Sequence, residues 1–180
     1  MSPQDLFGDI PYAVIGGVAT RAYMPERTTK DVDFLISHES YERACELVKR
    51  AGWTRTKQLL FPNTGLGLYG SAWTDGAQEI DLIASDQPWA AEALTVDARD
   101  QTGLKVIALP YLTLMKLDSA RGVDQGDLTR MLGTATNEDL ERIVRIVARY
   151  SGDPHAADDV RQYAALGRME WEQEGGEPFR

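Results

Sequence analysis

Asp31-Val32-Asp33 and, about fifty residues later, Glu79-Ile80-Asp81-Leu82 set carboxylates into runs of otherwise apolar residues. In an extended strand alternate residues share a face, so Asp31 and Asp33 project together while Val32, Phe34 and Ile36 project into a core. Two like charges side by side repel unless a proton or a cation intervenes. Hard cations such as Mg2+ take oxygen ligands and keep waters that substrate phosphates displace. In the second run Ile80 and Leu82 share one face, and Glu79, Asp81 and Ile83 the other. A neighbouring strand would therefore bring Asp81 to the same mouth as a third carboxylate.

A glycine pair lies upstream. Tyr12-Ala13-Val14-Ile15 reads as a buried strand, Gly16-Gly17 closes it, and Val18 to Tyr23 reads as the following helix. Residues without side chains permit unusual dihedrals and let backbone N–H groups approach a triphosphate at a helix start. The same pair is also what an ordinary tight turn requires.

Gly16-Gly17, thirteen intervening residues and then Asp31-Val32-Asp33, with Arg27-Thr28-Thr29-Lys30 directly before the acids, resemble the nucleotidyltransferase superfamily that includes DNA polymerase beta. The Arg-x-Thr-Lys-Asp-Val-Asp form is similar to that of the stand-alone bacterial branch related to AbiEii-type toxins and minimal nucleotidyltransferases. The run Val106 to Leu117, followed by Arg121 and Asp127-Leu128, is similar to that branch's second segment, a helix bearing a lysine with an acid further on. Many minimal members carry Gly-Ser where this chain has Gly16-Gly17, so backbone amides would stand in for the hydroxyl.

The resemblance implies an α+β fold: a nucleotidyltransferase-like mixed β-sheet with helices packed on one face, followed by a mostly helical C-terminal region. Residues 1–110 would form the catalytic core and residues 111–180 a helical subdomain packed on it. It implies that Asp31, Asp33 and Asp81 are the catalytic acids and hold two Mg2+ ions, with Mn2+ as a substitute. Gly16, Gly17, Arg27, Thr28, Lys30 and Lys116 would contact the phosphates, with Asp127 supporting them from behind. The activity implied is transfer of a nucleoside monophosphate from a nucleoside triphosphate to a hydroxyl on RNA such as a tRNA end, on a partner protein or on a small molecule. A toxin–antitoxin or defence role is one setting. An antibiotic adenylyltransferase and a catalytically silent module acting through a protein partner are the alternatives.

Several of these residues have plainer readings. Asp31 and Asp33 could be solvated acids on a half-exposed strand, and Arg27 could pair with Glu26 or Asp31. Lys116, inside the apolar run Leu112 to Leu117, could be a snorkelling side chain. Asp124 reads as a capping acid at the start of the next helix, where carboxylates satisfy orphan amides. With two histidines and the single Cys45 there is no zinc-ligand spacing, and no Gly-x-Ser-x-Gly, Walker or dinucleotide motif occurs.

The elements that must position these groups follow from periodicity. Strands are expected at 12–16, 31–37, 57–61, 66–74, 78–84 and 104–108, and helices at 18–24, 40–51, 111–121, 125–133, 137–150 and 156–172. In the last helix Val160, Tyr163, Ala164 and Leu166 to Met169 are candidates to pack inward. A net charge of −9 argues against general DNA binding, since phosphate neutralisation supplies most non-specific affinity. Residues 40–60 run the other way, with Arg43, Lys49, Arg50, Arg55 and Lys57 against Glu42 and Glu46. One cysteine, no leader pattern and no long apolar run point to a reducing cytoplasm and no membrane.

Overall fold

The computed structural model describes residues 3–24, 31–62 and 64–173. The chain divides into two units, Met1–Ala22 with Arg27–Ala108, and Tyr23–Glu26 with Leu109–Arg180.

The first unit is built on a mixed seven-stranded sheet of order β3-β4-β5-β2-β1-β7-β6, in the α+β class expected. Its strands are β1 (Tyr12–Ile15), β2 (Val32–Ile36), β3 (Thr54–Leu60), β4 (Leu68–Thr74), β5 (Glu79–Ser85), β6 (Ala98–Arg99) and β7 (Lys105–Val106). β1 runs antiparallel to β2, and β2 runs parallel to β5, which closes a meander with β4 and β3. Side chains of residues in register share a face. Tyr12, Val14, Phe34, Leu82, Ser71 and Tyr69 therefore line one face of the sheet.

Helices α1 (Pro3–Phe7) and α3 (Tyr41–Arg50) cover that face. The Phe7 ring meets Phe34 edge-on at 4.9 Å and Tyr12 at 5.4 Å. Tyr41 stacks edge-on against Tyr69, its hydroxyl 2.8 Å from Ser71 Oγ, which also accepts a hydrogen bond from Trp73 Nε1. Burial pushes the Tyr41 hydroxyl pKa up to about 12 and raises that of Cys45 above the usual thiol value. Both groups thus stay protonated in the core, in keeping with a packing role for Cys45.

Four elements depart from the sequence expectation, one of them the two-residue β6, where no strand was expected. The helix after the glycine pair is one turn, α2 (Gly16–Ala19), continued as a 3-10 turn over Thr20–Ala22, because Thr20 Oγ1 donates back to Gly17 O. α1 and α4 (Pro88–Thr95) had no sequence counterpart. Five residues are too few to show a helical period, and α4 is apolar all along, with Trp89, Ala90, Ala93 and Leu94 buried.

The second unit holds α5 (Leu109–Ser119), α6 (Gly122–Gly133), α7 (Asn137–Tyr150) and α8 (Ala156–Gln173). α7 starts at Thr136, whose hydroxyl accepts the Asp139 N–H at 3.1 Å, as Thr136-Asn137-Glu138-Asp139 foretold. α6 and α8 cross backbone to backbone. A Cβ on Gly167 would lie 2.0 Å from Thr129 O, and one on Gly133 2.6 Å from the Gly167 carbonyl carbon. That contact selects the inward stripe of α8 as Val160, Ala164 and Gly167. Leu166 and Met169, expected inside, are 44% and 56% exposed. Side-chain size misleads here, because the closest approach of two helices favours the residue with least bulk.

Candidate active site

Register assembles the acids. β2 and β5 are parallel neighbours in which Val32 faces Ile80, Asp33 faces Asp81 and Phe34 faces Leu82. The apolar members point to the face covered by α1 and α3, so Asp33 and Asp81 lie side by side on the opposite face. On the other side of Asp33 its register partner is Ile15, the residue before the glycine pair.

Gly16 is held against this acid pair. Its φ is +64°, and a Cβ there would lie 1.9 Å from Asp33 Oδ2. Only glycine allows both that dihedral and a carboxylate so close to the main chain. Gly17 follows in the same single turn, its carbonyl taken by Thr20.

The electrostatics of Asp81 reflect its neighbours. Burial raises its pKa above the ordinary carboxylate value. Lys57 pulls it down, while Asp31 and Glu79 push it further up. Asp31 is exposed and precedes the first residue of β2. It acts on Asp81 through its field, which brings all three expected acids to one locality of the first unit. Arg27, Thr28 and Lys30 lie outside the described residues.

The donor set suits a hard cation held jointly with a substrate. Among the described residues no three carboxylate, imidazole or thiol groups close into a metal cluster. Mg2+ does not need one. It is ordinarily bound through one or two carboxylates plus substrate phosphates, keeping waters elsewhere. Two adjacent carboxylates, with the pKa of Asp81 raised, are the chemistry that such an ion relieves.

Lys116 and Asp127 are in the second unit, in a different environment. Lys116 Nζ donates to Asp124 Oδ1 at 2.8 Å and to Asp127 Oδ2 at 2.7 Å, and the three residues are 4%, 1% and 4% exposed. Two of the ammonium's three donors are thus committed within the helices. Asp124 also accepts from Arg121 Nε at 2.7 Å and from Ser119 Oγ. Burial alone would raise its pKa, but donors from Arg121, Lys116 and Ser119 together hold it below the usual range. The capping role read for Asp124 is corrected. α6 has Arg121 at its N-cap with no side-chain cap bond, and the carboxylate turns inward to a buried cation that the linear sequence does not reveal.

Sequence reasoning counted Lys57 only within a basic segment and gave it no role beside the acids. β3 and β4 pair Arg55 with Trp73 but Lys57 with Ala72, a bulge at Thr56. Without the bulge, alternation would put Lys57 on the Arg55 face. No residue pattern in β3 signals the extra residue.

No protein-family model and no curated protein matches the chain. Solved structures similar to it include JHP933 from Helicobacter pylori, 16% identical over 95% of this chain and 89% of that one, with a TM-score of 0.43. ANT(2'')-Ia in complex with adenylyl-2''-tobramycin is 16% identical over 91% of this chain and 90% of its own, with a TM-score of 0.45. The solution structure of ANT(2'')-Ia, described as an antibiotic-resistance factor, is 16% identical over 93% and 86% at the same TM-score of 0.45. Among the described residues no helix is long and apolar enough to cross a membrane.

Proposed function

We propose that this chain is a metal-dependent nucleotidyltransferase that moves a nucleoside monophosphate from a nucleoside triphosphate to a hydroxyl acceptor. One observation carries the reading: Asp33 and Asp81 lie in register on adjacent parallel strands, with the Gly16 backbone against the Asp33 carboxylate. Asp31, Asp33 and Asp81 would hold Mg2+, one ion or two. When bound, the metal supplies charge neutralisation for the phosphates and a lowered pKa for an oxygen ligand. Asp33 would hold the metal beside Gly16, whose missing side chain lets the carboxylate sit against the main chain, and Gly16 and Gly17 are proposed phosphate contacts. Asp81, whose pKa is already raised, is the group beside the acceptor hydroxyl and is suited to take its proton. Arg27, Thr28 and Lys30, directly before Asp31 in sequence, are proposed phosphate contacts.

Calorimetric titration of the four nucleoside triphosphates, with Mg2+ and with EDTA, tests this on the wild type and on Asp31→Asn/Asp33→Asn. Magnesium-dependent binding that the double variant loses is the expected result. Absence of binding by all four triphosphates would overturn the proposal.

A further inference from the structure

A single rung crosses the sheet on the acid face. Lys57 on β3 pairs with Ala72 on β4, Ala72 with Asp81 on β5, Asp81 with Asp33 on β2, and Asp33 with Ile15 on β1. Gly16 stands at the β1 end of this rung and Lys57 near the other. Ala72, between Lys57 and Asp81 on the rung, contributes only a methyl and is itself buried. Two strand spacings, about 10 Å, separate the two backbones. A lysine's four-carbon stem spans much of that gap.

Lys57 is placed there deliberately by the backbone. The bulge at Thr56 turns it from the Arg55 face to the acid face, and Thr56 Oγ1 donates to Ala72 O at 3.2 Å across the irregularity. Bulges concentrate beside active sites, where they re-aim a side chain. Lys57 is exposed and makes no ion pair among the described residues. Its charge nevertheless reaches Asp81, where it opposes the effect of burial.

We propose that Lys57 is the acceptor-contacting cation of this site and that it selects a hydroxyl acceptor carrying a phosphate group. This rests on the nucleotidyl-transfer reading for its direction. With the donor triphosphate beside Gly16 and Asp33, the acceptor hydroxyl lies at Asp81 and the body of the acceptor extends on the Lys57 side of it. An anionic group within about 10 Å of the reacting hydroxyl meets the ammonium there. An acceptor with ammonium groups at that position meets a like charge instead, so the lysine discriminates as well as attracts.

Ribose 5-phosphate and ribose are matched probes, both rich in hydroxyls and differing only in the phosphate. Their affinities are read by 1H–15N NMR titration of the full chain, for wild type, Lys57→Gln and Lys57→Arg. The phosphorylated sugar should bind wild type about tenfold more tightly, as a charged hydrogen bond provides. Its resonance shifts should centre on residues 57, 72 and 81. Lys57→Gln should reduce its affinity to that of ribose, and Lys57→Arg should restore the preference. Equal binding of the two sugars, no binding of either, or full affinity in Lys57→Gln would overturn the proposal. The triphosphate calorimetry separates the two claims. Magnesium-dependent triphosphate binding without a phosphate preference sinks the Lys57 inference alone. A Lys57-dependent preference without triphosphate binding supports the phosphate subsite and removes the transfer reading.

Discussion

The two units each bring aspartates side by side, and they balance the charge differently. In the helical unit Asp124 and Asp127 close on Lys116 at hydrogen-bond distance, with Arg121 and Ser119 completing the shell of Asp124. In the sheet unit Asp81 lies beside Asp33 with its pKa raised, and the cation acting on it, Lys57, is two strands away. A carboxylate cluster that its own chain neutralises contributes to folding. One that includes a carboxylate with a raised pKa, such as Asp81, is suited to an external cation.

The largest expected effect separates these clusters by stability. Asp127→Ala or Asp124→Ala leaves a buried ammonium without one of its partners and should cost about 3–5 kcal/mol in urea unfolding. Asp81→Asn should leave the midpoint unchanged or raise it while abolishing magnesium-dependent triphosphate binding. If the two clusters lose stability alike, the contrast is broken.

The helix crossing tests whether the ionic cluster is the main support of its unit. Gly167→Leu drives a side chain into the Thr129 carbonyl and the Gly133 backbone, which yield only if the helices part, so the cost should exceed the about 1–3 kcal/mol of ordinary core overpacking. A smaller loss than that of Asp127→Ala in the same unfolding assay keeps the buried ions as the dominant element.

Acid titration gives the two clusters opposite signs. The Asp124 pKa is lowered in the folded state, so its stabilisation is present above the unfolded value and is lost as pH falls through the folded one. The Asp81 pKa is raised, so its folded carboxylate carries a cost above that value which protonation relieves as pH falls. Unfolding midpoints measured from pH 7 downward should therefore drop less steeply in Asp124→Asn than in wild type, and more steeply in Asp81→Asn.

The smallest effect concerns the turn between α5 and α6. Ala120 there has a φ of 49°, a region that costs an L-residue about 1 kcal/mol. Ala120→Gly should raise the thermal midpoint slightly without disturbing the Lys116 cluster, seen as an unchanged acid limb.

Much of the sheet unit was legible from its residues because alternation is a local property. Asp33 stands against Val32, Phe34 and Ile36 within one strand, with Asp31 just before it, and Asp81 against Ile80 and Leu82 in another, so the acid faces could be read strand by strand. Thr136 at the head of α7 was equally readable, since a cap needs only its own first turn. The partner of each buried charge was not. Lys116 and Asp127 are eleven positions apart on different helices, and only packing of α5 against α6 makes them an ion pair.

Local chemistry, set by residue type and spacing, thus accounts for which side chains are acidic, which turn is glycine-built and which faces are apolar. Long-range pairing settled the rest, because register and helix packing depend on backbone groups that carry no residue label. The bulge that aims Lys57 across β4 is the clearest instance. Shifting a strand by one residue exchanges its two faces, and neither Arg55, Thr56 nor Lys57 announces in its own side chain that the shift occurs.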